Sequence, residues 1–190
     1  CFAHMGRLTD AREAYHHLME RQENLIKAKR APVNLLCDLL EAAVLLGERE
    51  AANILAKQLD GVAAMVRNDY WSGRHLGGAA KLSGEPEKAL GYYHKALDAS
   101  IKMRVRPEIA LTRLELAELL TESYPRQRDE AMEHLNMAVA EFRDMKMQPS
   151  LDRALALMKK AESQPSRRPS YPDGLTYREV EVLRLVATGM

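Results

Sequence analysis

The side chains able to do chemistry are scattered along this chain, and their spacing limits what they can do. His16 and Glu20 put an imidazole and a carboxylate one helical turn apart, with His17 beside them. Two ligands do not complete a zinc site, so a solvated helix face is the better reading. His75, His94 and His134 stand alone. Cys37 lies in an apolar run, where a thiol packs as a small core side chain and does not act as a nucleophile. Gly73, Gly77, Gly78 and Lys81 have the residue types of a phosphate loop but neither its order nor its strand-to-helix setting. These glycines read instead as places where helices come close. Met145 and Met147 bracket a helix end and read as packing residues. No catalytic set emerges, no metal or cofactor is expected in this chain, and an enzyme is the disfavoured class.

Polar residues in helical register remain. Trp71, Arg74, Gly78 and Lys81 follow at steps of three, four and three, which places all four on one helix face. Asn34, Cys37 and Glu41 form a similar series one segment earlier. Composition supports helices as the carriers. There are 26 Ala and 27 Leu against 9 Val, 4 Ile and 5 Thr, and β-branched residues are the ones sheets collect. With 46% hydrophobic and 29% charged residues over 190 positions, a soluble globular chain with a sizeable core is expected. A net charge of +1 excludes a basic nucleic-acid surface over the whole chain, though not a local patch. Cys1 and Cys37 make no disulfide framework. No apolar run approaches the ~20 residues of a membrane span. The expectation is a cytoplasmic location and no membrane partner.

The elements themselves repeat. Gly6, Gly47 and Gly84 are each followed five residues later by alanine: Ala11, Ala52 and Ala89. Core-type residues follow four further on (Tyr15, Ala56, Tyr93) and three beyond that (Leu18, Leu59, Ala96). A fourth copy lacks the glycine and keeps Ala131, Leu135 and Ala138. Each glycine suits a left-handed helix end, and each small residue permits close helix approach. Helical runs over 33–46, 69–83 and 107–122 precede the later copies, and a last helix over 150–162 closes the series. Pro86 fits the first turn of a helix. Helix, tight turn, helix, repeated, is the pattern of a solenoid whose hairpins cannot bury their apolar faces alone.

Leu76-Gly77, Gly84, Ala89, Tyr93 and Ala96 make the third copy resemble the tetratricopeptide repeat. The alanine spacings of 41, 37 and 42 exceed that repeat's usual ~34 residues, so longer helices or loops are expected. The resemblance covers residues 1–163. It implies that first-helix positions, here Asn34, Glu41, Trp71, Arg74 and Lys81, line a concave groove holding a protein or small-molecule effector. Residues 107–162, through 110–120 and 129–140, also look like the helical-repeat arm of large LuxR-type regulators and of some nucleotide-cyclase-linked ATPase proteins. In such proteins an ATPase often precedes the array, and this chain has no phosphate loop.

Residues 164–174 (QPSRRPSYPDG) read as a linker, with Arg167 and Arg168 either solvated or in contact with DNA phosphate. A capped helix follows over 175–190. Thr176 and Glu179 form a capping box, and Leu175 with Val180 the hydrophobic staple. Through Leu175, Thr176, Arg178, Glu179, Val180, Glu181, Val182, Leu183 and Gly189 this segment resembles the start of the LuxR/GerE-type helix-turn-helix domain. The recognition helix that reads base edges comes later in such a domain. The fold class expected is therefore all-α: a tetratricopeptide-like helical-hairpin solenoid, a linker, and the first helix of a helix-turn-helix domain. The function implied is the partner-binding, regulatory arm of a LuxR-family transcriptional regulator, with DNA bound through the complete C-terminal domain. The alternative is a protein–protein adaptor without DNA binding. Self-association into a homo-oligomer is left open.

Overall fold

The computed structural model describes residues 7–163 apart from residues 29, 67 and 68. Among the described residues all regular structure is helical: α1 (Leu8–Lys27), α2 (Val33–Leu46), α3 (Arg49–Val66), α4 (Asp69–Leu82), α5 (Pro86–Met103), α6 (Arg106–Ser123), α7 (Arg128–Asp144) and α8 (Gln148–Ser163). The fold is all-α and built of helical hairpins. The linker and the segment holding Arg167, Arg168, Leu175, Thr176, Arg178, Glu179, Val180, Val182 and Leu183 lie outside the described residues.

Gly6 lies outside the described residues, and the other two glycine turns behave as the sequence suggests. Gly47 (φ +75°) and Gly84 (φ +79°) are left-handed. The Glu48 amide donates to the Ala43 carbonyl and the Glu85 amide to the Ala80 carbonyl, each at 2.9 Å. Such six-to-one bonds satisfy carbonyls that the helix end would leave orphaned. The same turn recurs without glycine at Arg104 and Lys146, both at φ +57°. The Val105 amide there reaches the Ser100 carbonyl at 3.1 Å, and the Met147 amide the Phe142 carbonyl at 2.9 Å. The copy beginning before Ala131 is turned differently, by a single 3-10 turn at Pro125–Gln127.

The repeat alanines are buried: Ala52, Ala89 and Ala131 fully, Ala11 nearly so. Two expected core positions differ. Leu18 is exposed, and Ala56 is half-buried. In α3 the core seat between Ala52 and Leu59 belongs to Leu55, which is completely buried. Steps of three and four keep Leu55 and Leu59 on the Ala52 face as well as Ala56 would have been. The bulkier residue takes the inner position. Cys37 is buried as expected.

Consecutive helices pack in pairs along the chain, and α2, α4, α6 and α8 also touch one another in succession. No comparable pairing joins α1 to α3, α3 to α5 or α5 to α7 among the described residues. The even helices thus converge into an inner row and the odd ones spread outside it, which gives the stack a concave side. Two apolar cores fill it, one shared by α1 to α4 and one by α4 to α8, with Tyr92 packed against both. Glycine allows the tightest approach. A Cβ on Gly73 would stand 2.8 Å from that of Ala96, and one on Gly77 2.5 Å from the Tyr93 ring.

Candidate functional site

The concave side carries a continuous band of charge. Arg74 on α4 is only 5% exposed. Its Nε donates to Glu108 Oε1 at 2.7 Å, and its Nη1 to Glu115 Oε1 at 2.7 Å and Glu41 Oε1 at 3.1 Å. One guanidinium therefore ties α4 to α2 on one side and α6 on the other. Two helical turns on, Lys81 Nζ lies 3.3 Å from Glu118 Oε2 and 3.1 Å from Glu122 Oε2. Arg153 on α8 closes the band, its Nε and Nη2 donating to the two oxygens of Glu118 at 2.7 and 2.6 Å. That two-pronged geometry is the strong form of a charge-assisted bond.

Burial and charge act against each other here. Burial lowers the Arg74 pKa, but Glu115, Glu108 and Glu41 outweigh it and hold the guanidinium charged. Burial raises the Glu118 carboxyl, and the Arg153 fork with Lys81 brings it below the usual range. Glu108 goes the other way: burial pushes it up, more than Arg74 pulls it down. His75 is pushed down to about 3, first by burial and then by the neighbouring Arg74 charge, so its imidazole is neutral.

Beneath this band lies a cavity of about 520 Å³, within the size range of small-molecule and peptide sites. Its apolar wall includes Val44, Leu45, Leu82, Pro86 and Leu119, and its polar wall includes the residues of the charged band and His75.

Of the groove residues expected from sequence, Glu41, Arg74 and Lys81 are brought together at this cavity. Asn34 is exposed on α2 and is not part of the cavity lining. Trp71 belongs to α4, and its side chain lies outside the described residues. From sequence, Arg74 is expected to face the groove and its occupant. Instead it is buried among three carboxylates, because α2 and α6 close over it from both sides. Cys37, in register with Asn34 and Glu41, points into the core, where burial followed by nearby Asp38 raises its thiol to about 12. That thiol stays protonated and inert.

The sequence reading missed Glu108, Glu115, Glu118, Glu122, Arg153 and His75. A signal existed for the first four. Glu108, Glu115 and Glu122 recur every seven residues, with Glu118 three after Glu115, on a helix otherwise rich in Leu and Ala. Arg74 and Lys81, also seven apart, are their complement. Among the described residues no three His, Cys, Asp or Glu side chains are grouped to hold a metal. His16, more than half exposed, stands 3.9 Å from Glu48 and is a surface residue. No helix among the described residues is long and apolar enough to cross a membrane. No protein-family model and no curated protein matches the chain.

Proposed function

We propose that residues 1–163 are the partner-binding, regulatory arm of a LuxR-family transcriptional regulator, and that the concave groove holds the effector. The groove carries the binding half of this reading: four successive inner helices converge on one cavity and line it with charge and apolar surface together. The capped segment from Leu175, after its Pro/Ser/Arg linker, supports the DNA half. An occupant that binds one curvature of the stack better than another shifts the orientation or pairing of the DNA-binding domain by that difference in affinity. The adaptor reading uses the same groove and dispenses with DNA. It is favoured by the completeness of the groove within α2 to α8.

Two measurements test this. Peptides selected by display on the 190-residue chain are expected to shift the groove amides of Gly78, Lys81 and Ser123 in NMR spectra. Selected peptides that shift only other surfaces would remove the groove. For DNA, fluorescence anisotropy of the 190-residue chain should show weak, sequence-blind binding. A chain continued past Met190 through a complete helix-turn-helix should prefer one duplex by ~10³-fold or more. Its log affinity should fall linearly with log salt as counterions are released. A continued chain with no salt-dependent DNA binding would leave the adaptor.

A further inference from the structure

The interior of the stack is divided. Among the described residues the buried apolar side chains form two groups, one running from α1 to Leu76 and Ala79 of α4, the other from Ala80 to α8. Mechanically α4 belongs to the second. Gly73 and Gly77 bring its backbone so close to Ala96 and the Tyr93 ring that an added Cβ would stand 2.8 and 2.5 Å from them, which leaves α4 no room to shift on α5. Toward α2 the fit is looser: a Cβ on Gly78 would stand 3.3 Å from Val44 Cγ1, the end of a side chain. A seam therefore runs between α1–α3 and α4–α8.

Both edges of this seam are hollow. The groove of about 520 Å³ lies along the concave edge, with Glu41, Val44 and Leu45 of α2 on one bank and α4, α6 and α8 on the other. A second hollow of about 260 Å³ lies on the opposite edge, between Asn53 and Ala56 of α3 and Leu76, Ala79 and Tyr92 of α4 and α5. Polar bonds span each edge. On the concave side Arg74 is held at 2.7 Å by both Glu108 and Glu115 of α6, and its 3.1 Å bond to Glu41 is the one that crosses the seam. On the convex side Ser83 Oγ lies 2.6 Å from Asn53 Oδ1, the Tyr92 hydroxyl donates to Asp60 at 3.2 Å, and Arg49 Nε donates to the Leu82 carbonyl at 3.0 Å. These three bonds are exposed, and water replaces such bonds at little cost.

We propose that α1–α3 rock as one body on α4–α8 about the apolar strip of Leu76 and Ala79, so that the groove opens as the convex hollow closes and narrows as it widens. A close-packed interior resists such a change, whereas an empty hollow at the edge of a packed strip permits it. The Glu41–Arg74 bond is the latch of the narrow form. A group that fills the convex hollow keeps that edge from closing and so keeps the groove from opening, which sets the two hollows against each other. The use of this motion in regulation rests on the groove being the effector site; the motion itself does not.

Pulsed electron spin resonance distances on the 190-residue chain test the seam without any ligand. Spin labels at Asn34→Cys and Lys160→Cys, both exposed positions, span it; labels at Lys95→Cys and Lys160→Cys stay within α4–α8. The background is Cys1→Ser, and Cys37 escapes labelling because it is buried and its thiol stays protonated. Ala56→Phe places a ring in the convex hollow and should move the seam-spanning distances shorter. Glu41→Ala cuts the latch and should move them longer, each by about 2 Å, with the distances inside α4–α8 unchanged. Asn53→Phe, on the exposed rim of the same hollow, repeats the block should Ala56→Phe fail to fold. Seam-spanning distances that stay fixed in both kinds of variant, that move the same way in both, or that move together with those inside α4–α8 overturn the rocking seam, whatever the groove holds. A display-selected peptide that occupies the groove should bind Ala56→Phe with an affinity changed about fivefold or more. Shifted distances with unchanged affinity overturn the opposition of the two hollows. A selection that yields no groove peptide removes the effector site, and the distances still decide the seam.

Discussion

At the scale of single residues, Arg74 and His75 are neighbours with opposite solutions to burial. Arg74 keeps its charge because three carboxylates surround it. Removing one member of a buried ionic cluster leaves the others uncompensated, so Arg74→Met should cost about 3–5 kcal/mol in urea unfolding. Lys88→Met, which breaks only an exposed pair with Glu85, should stay within about 0.5 kcal/mol. Equal midpoints for the two variants would show that the Arg74 cluster does not hold the stack. His75 gives up its charge instead. Between pH 6.5 and about 3 the unfolded chain binds a proton at this position and the native chain does not. Acid therefore draws the protein toward the unfolded state, and stability falls as pH drops through that window. Glu108, raised in the native state, opposes this near its own titration range. Comparison with His75→Asn isolates the histidine. From pH 7 to pH 4.5 the natural protein should lose about 2–3 kcal/mol more than the variant. Parallel pH profiles would mean that His75 is protonated in the folded protein. None of this was legible from the sequence, where a histidine next to an arginine looks like surface. Only the closure of α2 and α6 over α4 makes it interior.

At the scale of elements, the glycines separate into those that serve a turn, those that serve a contact, and those that serve neither. Gly77 faces the Tyr93 ring so closely that Gly77→Ala forces a 2.5 Å contact to open, at a cost of about 1–3 kcal/mol. Gly91, on the exposed side of α5, has open space around it. Gly91→Ala should raise stability by ~1 kcal/mol through helix propensity alone. Opposite signs for these two changes, read from thermal unfolding, are the expectation. The reverse test applies to the turns. Lys146 is left-handed, a conformation that costs a side chain ~1–2 kcal/mol, and glycine there returns part of that gain through its freer unfolded state. Lys146→Gly should therefore stabilise by about 0.5 kcal/mol. A loss would mean that the lysine side chain supports the turn. Gly47 and Gly84 marked two turns in the sequence; Arg104 and Lys146 make the same turn with no mark. Helix boundaries were legible where proline or glycine set them, as at Val33–Leu46. The side-chain phase within a helix was less so: Leu55 replaced Ala56 in the core because both satisfy the same spacing.

At the scale of the whole molecule, the stack behaves as a row of units, each stabilised by its neighbours. The units are unequal. α6 touches α4, α5, α7 and α8, and buries residues on nearly every side: Ala110, Thr112, Leu114, Leu116, Ala117, Leu119 and Leu120. α1 meets α2, buries Ala11, Tyr15 and Ile26, and leaves Leu8, Leu18 and Leu25 exposed. The two apolar cores meet inside α4, between Ala79 and Ala80, so α4 is the element through which the halves communicate. Opening of the α1 end requires breaking few contacts, whereas exposing α6 requires dismantling both its hairpin and the charged band. Native-state hydrogen exchange should accordingly show α1 amides opening at low free energy and α6 amides only with global unfolding. Arg74→Met should bring α2 and α6 down together, since one guanidinium joins them through α4. Occupation of the groove should do the opposite, raising protection in α2, α4 and α6 while leaving α1 unchanged. A ligand that protects α1 and α6 equally would indicate a stack that already unfolds as one body. The charged band would then hold an occupant without relaying its presence along the array.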